Sequence, residues 1–467
     1  MKRWVCLIPV LCLLTGCGIE VPMDTGRDDS TKVLSESGDW FSEVFGQLEE
    51  NVLKLKETSI QISKQDVLTE KKESDALETI WNDRSVKQEE VIIETGEAEK
   101  TDYYRTREEV GLSSAMDPGL LIAQSGHYSF GCLSSEEQLL YVDIVQILSH
   151  MAEDIEIRIP KECEDDLSVI GKVFQCVMND HPEFFYADGY TYTRYTEGNA
   201  DGRLIRVTFS GRYTMSPAKK AKCEEKIKEY TDVVLSGIPK EASEYEKVKY
   251  IYEYIILHTD YKLHAKEDQN ICSVFLYGES VCQGYAKAMQ YLLEQAGIQA
   301  TLVSGVVEKG EGHAWNLVRI DGDYYYVDPT WGDASYEMSG EVQETEGIRI
   351  PSINYDYLCV TQEQLTKTHT IDNVVALPQC TATRANYYRM EDAYFTGYDR
   401  EQIKRLFEKA YARGDEIVTL KCSDCTAYEE VKRMLLDAQE VFEYLDSPEG
   451  KVAYTNSNEQ LSISFWL

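Results

Sequence analysis

Between Ser280 and Trp331 the chain runs SVCQGYAKAMQYLLEQAGIQATLVSGVVEKGEGHAWNLVRIDGDYYYVDPTW, a stretch that sets a cysteine at the start of a helix and then a histidine and an aspartate on two strands. Ser280 and Gln283 have the Ser-x-x-Gln spacing of a capping box, which predicts a helix capped by Ser280 with Cys282 as its second residue. Small or apolar residues then recur at Cys282, Tyr285, Ala286, Met289, Leu293 and Ala296, one buried stripe of a helix that Gly297 would stop. A thiol in a first helical turn lies beside N–H groups that lack intrahelical partners and beside the positive end of the macrodipole, both of which favour thiolate. The same N–H groups could receive an oxyanion.

After the helix, Trp315 to Val327 reads as a hairpin turning at Asp321-Gly322, a type I′ signal flanked by apolar residues. With those two residues as the loop, Ile320 faces Asp323, Trp315 faces Asp328 and His313 faces Thr330. His313 and Asp328 then lie on one face as diagonal neighbours, their Cβ atoms about 7 Å apart or less, within reach of an imidazole–carboxylate hydrogen bond. A three-residue loop would separate them onto opposite faces, because strand side chains alternate. Taken singly, Cys282 is more simply a core residue and His313 a satisfied polar group. Together with the capped helix and the matched parity, they point to a nucleophilic thiol with its base and orienting acid.

VCQGYA, then GHAWN, then YYYVDPTW resemble, in order and spacing, the core motifs of the transglutaminase-like superfamily, over roughly Glu244 to Asp333. The resemblance implies an α+β fold, with a cysteine helix packed on an antiparallel sheet in a papain-like Cys-His-Asp core. It makes Cys282 the nucleophile, His313 the general base and acid, and Asp328 the group that holds the imidazole. Gln283 and Tyr261 are the candidates for the oxyanion side, and Trp315 and Trp331 for the walls of the cleft. No metal and no organic cofactor is implied. Family members include protein cross-linkers, peptidases, amidases and copies without activity, so hydrolysis and amine transfer on peptide or carboxamide bonds both stay open. The alternative is a surface-tethered binding protein whose groove turns nothing over.

Met1 to Gly16 has Lys2 and Arg3, the apolar run Trp4 to Leu14, and Leu14-Thr15-Gly16 just before Cys17. That is the layout of a signal peptide, and its last four residues resemble the bacterial lipobox. Residues 1–17 are therefore expected to direct export, with Cys17 lipidated and the protein held on the outer face of a cytoplasmic membrane. Residues 18–125 are expected to be an acidic tether, with a helix from Asp39 to Leu55 and a solvated linker from Glu70 to Arg107. A formal charge of −35 repels phosphate backbones, so nucleic acid is excluded as a partner. The expected partners are a peptide or protein substrate, cell-wall peptide among them, and the membrane through its lipid.

The remainder divides into an N-terminal α/β domain at 126–242, the catalytic domain at 243–350 and a C-terminal accessory α+β region at 351–467. Ser134/Glu137 and Ser243/Glu246 are capping boxes, Asp165 or Asp166 starts a further helix, and Ser216-Pro217 opens another. Tyr190 to Tyr195 and Leu204 to Tyr213 alternate like a hairpin. Cys422 and Cys425 have neither a second CxxC nor a nearby histidine, so no metal or redox role is read there. His369 is read as structural.

Overall fold

The structure, a computed structural model of the 467-residue chain, describes residues 107–112, 117–197, 202–307, 312–333, 353–446, 452–458 and 460–467, with the strands Cys6–Ile8 and Val91–Thr95. Cys17 and the helix expected from Asp39 to Leu55 lie outside these residues. So does the expected signal segment, apart from its short strand.

Ser134 accepts from Glu137 N–H while the Glu137 carboxylate accepts from Ser134 N–H, and this box opens α1 (Ser135–Ser149) as expected. After β1 (Ile155–Ile157), α2 (Ser168–Asp180) begins slightly later than Asp165 or Asp166 would place it. Asp166 takes the N–H of Ser168 at 3.0 Å, but the cap position itself falls to Leu167. β2 (Ala187–Glu197) and β3 (Leu204–Tyr213) form the expected antiparallel hairpin, and Ser216-Pro217 caps α3 (Pro217–Ser236). Val91–Thr95 runs parallel to β2, a strand inside the stretch expected to be a solvated linker, where Val91-Ile92-Ile93 is a short β-branched run.

The second capping box, Ser243 with Glu246, opens α4 (Glu244–Leu257). A two-residue parallel pairing of Asp260–Tyr261 with Glu279–Ser280 then leads into α5 (Cys282–Gln295). β4 (Ala300–Val307), β5 (Gly312–Ile320), β6 (Asp323–Val327) and β7 (His369–Ile371) make an antiparallel sheet in the order β6-β5-β4-β7. Asp321 and Gly322 have φ of 49° and 91°, the paired positive values of a type I′ turn. The hairpin register follows: Ile320 opposes Asp323 and Asn316 opposes Val327, as the loop length predicts.

One hydrophobic cluster extends from Val110 to Ala385 with no break at 242, so the regions expected at 126–242 and 243–350 share a core. Polar bonds cross the same line. Gln290 Nε2 donates to Asn179 O at 2.9 Å, and the buried Asp180 carboxylate accepts from Thr301 Oγ1, Tyr141 OH and the N–H groups of Ser129 and Phe130. Residues 107–112 and 117–124, expected in the tether, also join this body. Val110 and Leu112 are buried, and the Arg107 guanidinium grips Asp143 at 2.8 and 2.9 Å.

A second cluster, Tyr388 to Phe465, forms the C-terminal unit from β8 (Tyr394–Phe395), α6 (Arg400–Arg413), β9 (Ile417–Cys422), α7 (Cys425–Lys432), β10 (Tyr454–Ser457) and β11 (Ser462–Trp466). It starts near 387 rather than 351, because Leu358, Val360, Leu365 and Ala385 pack on the central body instead.

Candidate active site

Cys282 is the first residue of α5, one place earlier than the capping box predicts. The cap is Val281, which offers no side-chain bond. Ser280 is buried, and its hydroxyl stands 2.6 Å from that of Ser273, so it ties the entering loop together instead of capping the helix. Gln283 Nε2 donates to Gln269 O at 3.2 Å. Gly284 makes this close packing possible: a Cβ there would stand 2.0 Å from Ser280 Oγ, 2.6 Å from Ser273 Oγ and 2.9 Å from Asp268 O. Tyr261 pairs with Ser280 and places its ring 6.3 Å from that of Tyr285, beside the start of α5.

The path of the chain sets the cysteine level with the histidine. α5 lies along the Ala314/Asn316 face of β5, where Ala286 packs with Leu302 and Ala314 and its carbonyl accepts from Asn316 Nδ2 at 2.9 Å. The 14 residues of α5 run back about 20 Å from the turn into β4. From Ala300 to Gly305, which opposes His313, β4 covers about 17 Å of the same span. Cys282 and His313 therefore occupy the same end of the sheet. Cys282 is 1% exposed.

His313 shares the Trp315 face of β5, and its Nε2 lies 2.7 Å from Asp328 Oδ2, the pairing predicted by strand parity. The structure adds a residue that the sequence left structural: His369, on β7 opposite Val307, brings its Nε2 to 3.0 Å from the same oxygen. The other carboxylate oxygen accepts the N–H groups of Thr330 and Trp331 at 2.9 and 3.1 Å. Burial by itself would raise the Asp328 pKa. The charge of His313 and hydrogen bonds from both imidazoles outweigh it and hold Asp328 well below the usual carboxylate range. Burial pushes His369 below the usual imidazole value despite the Asp328 bond. A carboxylate only accepts, so each Nε2 carries hydrogen; in neutral His313 the basic nitrogen is then Nδ1.

The aromatic residues divide. Trp331 is half-buried, with its ring 6.2 Å from His313 and 5.2 Å from Tyr357. Trp315 is wholly buried, stacked 5.9 Å from His313 in the cluster with Val303, Leu317, Tyr326 and Val360, and is a core residue rather than an exposed wall. Tyr285 fastens the Trp331 loop to the cysteine helix, its hydroxyl bonded to Thr259 O at 2.6 Å and Asp333 Oδ2 at 2.7 Å.

Among the described residues one group has the makings of a metal site, His313, Asp328 and His369, whose ligand atoms all lie within 4.8 Å of one another. Both imidazoles here are hydrogen-bonded to the carboxylate. Chemically, the arrangement offers an imidazole whose Nε2 proton is oriented by a buried anion.

Residues 233–329 match the profile described as Transglutaminase-like superfamily. Kyphoscoliosis peptidase of Mus musculus is 28% identical over 124 residues, covering 23% of this chain and 19% of that protein. Its Homo sapiens counterpart is 29% identical over 119 residues, covering 22% and 18%. The chain thus spans about a fifth of the length of these curated relatives. Among solved structures, one described as a TGase is 14% identical over 34% of this chain and 54% of its own, at a TM-score of 0.22. The periplasmic domain of TgpA from Pseudomonas aeruginosa is 16% identical over 28% and 56%, at a TM-score of 0.19.

Proposed function

Because residues 233–329 form a transglutaminase-like domain, we propose that this protein is a cysteine-dependent acyl-transfer enzyme acting on peptide or carboxamide bonds. The observation that carries the proposal is the 2.7 Å His313–Asp328 bond at the end of the sheet that Cys282 also occupies. His313 Nδ1 takes the proton of Cys282 across that end, and the sulfur forms a C–S bond at the substrate carbonyl. First-turn N–H groups of α5 receive the oxyanion. The C–N bond then breaks as the imidazolium returns its proton to the departing ammonia or amine, leaving a thioacyl enzyme. Water attacks next, passing its proton to His313 and releasing a carboxylic acid and the thiol; a primary amine in its place yields a new amide.

The test is mass spectrometry of candidate peptides incubated with the purified protein, with and without an added primary amine, beside Cys282→Ala. Hydrolysis, deamidation and amine incorporation give three different mass changes. A peptide set unaltered by wild type, or altered equally by Cys282→Ala, overturns the proposal. The 1% exposure of the thiol favours a second reading, a binding protein whose groove performs no turnover. Alkylation of Cys282 no faster than that of an unperturbed thiol would select that reading. We propose in addition that Cys17 is lipidated and holds the protein on the outer face of the membrane; metabolic labelling with a fatty-acid analogue, lost in Cys17→Ser, tests it.

A further inference from the structure

Asp328 is shared. Its Oδ2 meets two imidazoles, one from β5 and one from β7, and only the first has a place in the chemistry above. We propose that His369 is a positioning residue whose Nε2–H fixes the Asp328 carboxylate and draws off part of its charge, so that it sets the basicity of His313. This rests on the acyl-transfer reading and assigns that site a fourth member.

Geometry supports the role. His369 is 2% exposed, so its polar edges must be satisfied within the protein. Nε2 faces Asp328 at 3.0 Å and Nδ1 faces Thr368 Oγ1 at 2.8 Å. With a carboxylate on one side, the ring donates from Nε2 and, when neutral, accepts the Thr368 hydroxyl at Nδ1. The titratable groups around it are Asp328, His313 at 5.4 Å between ring centroids, and Tyr357 at 5.8 Å. Trp315 and Trp331 close the remaining sides at 5.0 and 4.8 Å. The ring is thus held on all sides, and through it β7 is joined to the anion that orients the proposed base.

The sign of its effect is the same in either charge state. A neutral His369 shares the oxygen that His313 uses, weakening the field on the imidazolium; a cationic one would repel the imidazolium directly. Without it, His313 holds its proton to higher pH.

The experiment is site-resolved alkylation of Cys282 by iodoacetamide against pH, followed by peptide mass spectrometry, on the full protein and on His369→Phe, His369→Gln and His313→Ala. Phe keeps a ring without a donor, and Gln keeps a donor without the ring. In wild type the alkaline step of the profile reports loss of the His313 proton, and in His313→Ala it gives way to a single step at the thiol's own ionisation. The expected result is a rise of that step by about half to one pH unit in His369→Phe, with His369→Gln within about 0.2 unit of wild type. His369→Leu replaces the Phe variant if unfolding curves show that Phe is not accommodated. A donor-free variant that titrates like wild type, or a Gln variant displaced as far as it, overturns the assignment and makes His369 a packing residue. A wild-type profile identical to that of His313→Ala instead defeats the acyl-transfer reading and this assignment with it.

Discussion

At Asp328 a single buried carboxylate satisfies four donors, two imidazoles on one oxygen and two backbone N–H groups on the other. Nearly any change there alters what His313 presents. Asp328→Asn keeps the shape but can offer an amide donor where an acceptor is needed. It is expected to lower turnover roughly 10⁴-fold, as when the same swap misorients a catalytic imidazole; kcat on any peptide identified as substrate measures it. Gly284→Ala acts on the other partner, since the new Cβ would drive into Ser280, Ser273 and Asp268 at the foot of the cysteine helix. An overpacked site of that kind costs about 1–3 kcal/mol, read as a lower urea midpoint. A midpoint unchanged from wild type would mean the loop yields freely. The His313–Asp328 pair was legible because parity along a hairpin is a local property. His369 was not, since it arrives 41 residues after Asp328 on a strand added to the far edge of the sheet. Ser280 was misread for a similar reason: spacing reveals a serine able to cap, and cannot reveal the Ser273 hydroxyl that engages it.

Among elements, the two-residue turn at Asp321-Gly322 holds the site in phase. Both residues sit at positive φ and the strands behind them keep register as far as Asn316 and Val327. Inserting one residue between them would shift β6 by one position against β5 and send Asp328 toward the opposite face. The hairpin itself would survive, because β5 remains paired with β4 along seven residues. The expected outcome is therefore a folded protein with turnover as low as in Asp328→Asn and its circular dichroism preserved. Retained turnover would mean that the strand slips back into register. Here the sequence was informative because turn chemistry and strand period are short-range rules. The start of α2 was less so: Asp166 accepts the N–H of Ser168, yet the cap position falls to Leu167.

For the whole molecule, the expected domain lines failed where long-range packing decides. The core running from Val110 to Ala385 is assembled by contacts such as Gln290 with Asn179, more than a hundred residues apart, and no local pattern announces them. The C-terminal unit is tied to that body by Glu391, which pairs with Lys249 on α4 and with Lys409 and Arg413 on α6 at 3.4, 3.1 and 2.7 Å. Against the pull of burial, Lys249, Arg413 and Lys409 hold Glu391 down to about 2.

These shifts fix how stability responds to acid. Asp328 and Glu391 titrate lower in the folded chain than in the unfolded one, so their stabilisation is complete above about pH 5 and fades as pH falls toward their folded values. His369 is also lowered, by burial, so between its folded value and about 6.5 the unfolded chain holds a proton that the folded one does not. This component of the stability is therefore lost as pH falls through about 6.5, above the range in which Asp328 and Glu391 contribute. His369→Gln removes this early component alone, because the carboxylates and the buried Glu253 and Glu294, both raised by burial, are common to the two proteins. Urea midpoints measured from pH 7 to 5 are expected to fall less steeply in the variant, by up to about 1.4 kcal/mol per pH unit. Parallel curves would show that the His369 ring takes its proton equally well in the folded and unfolded chain, which its burial between Trp315 and Trp331 argues against.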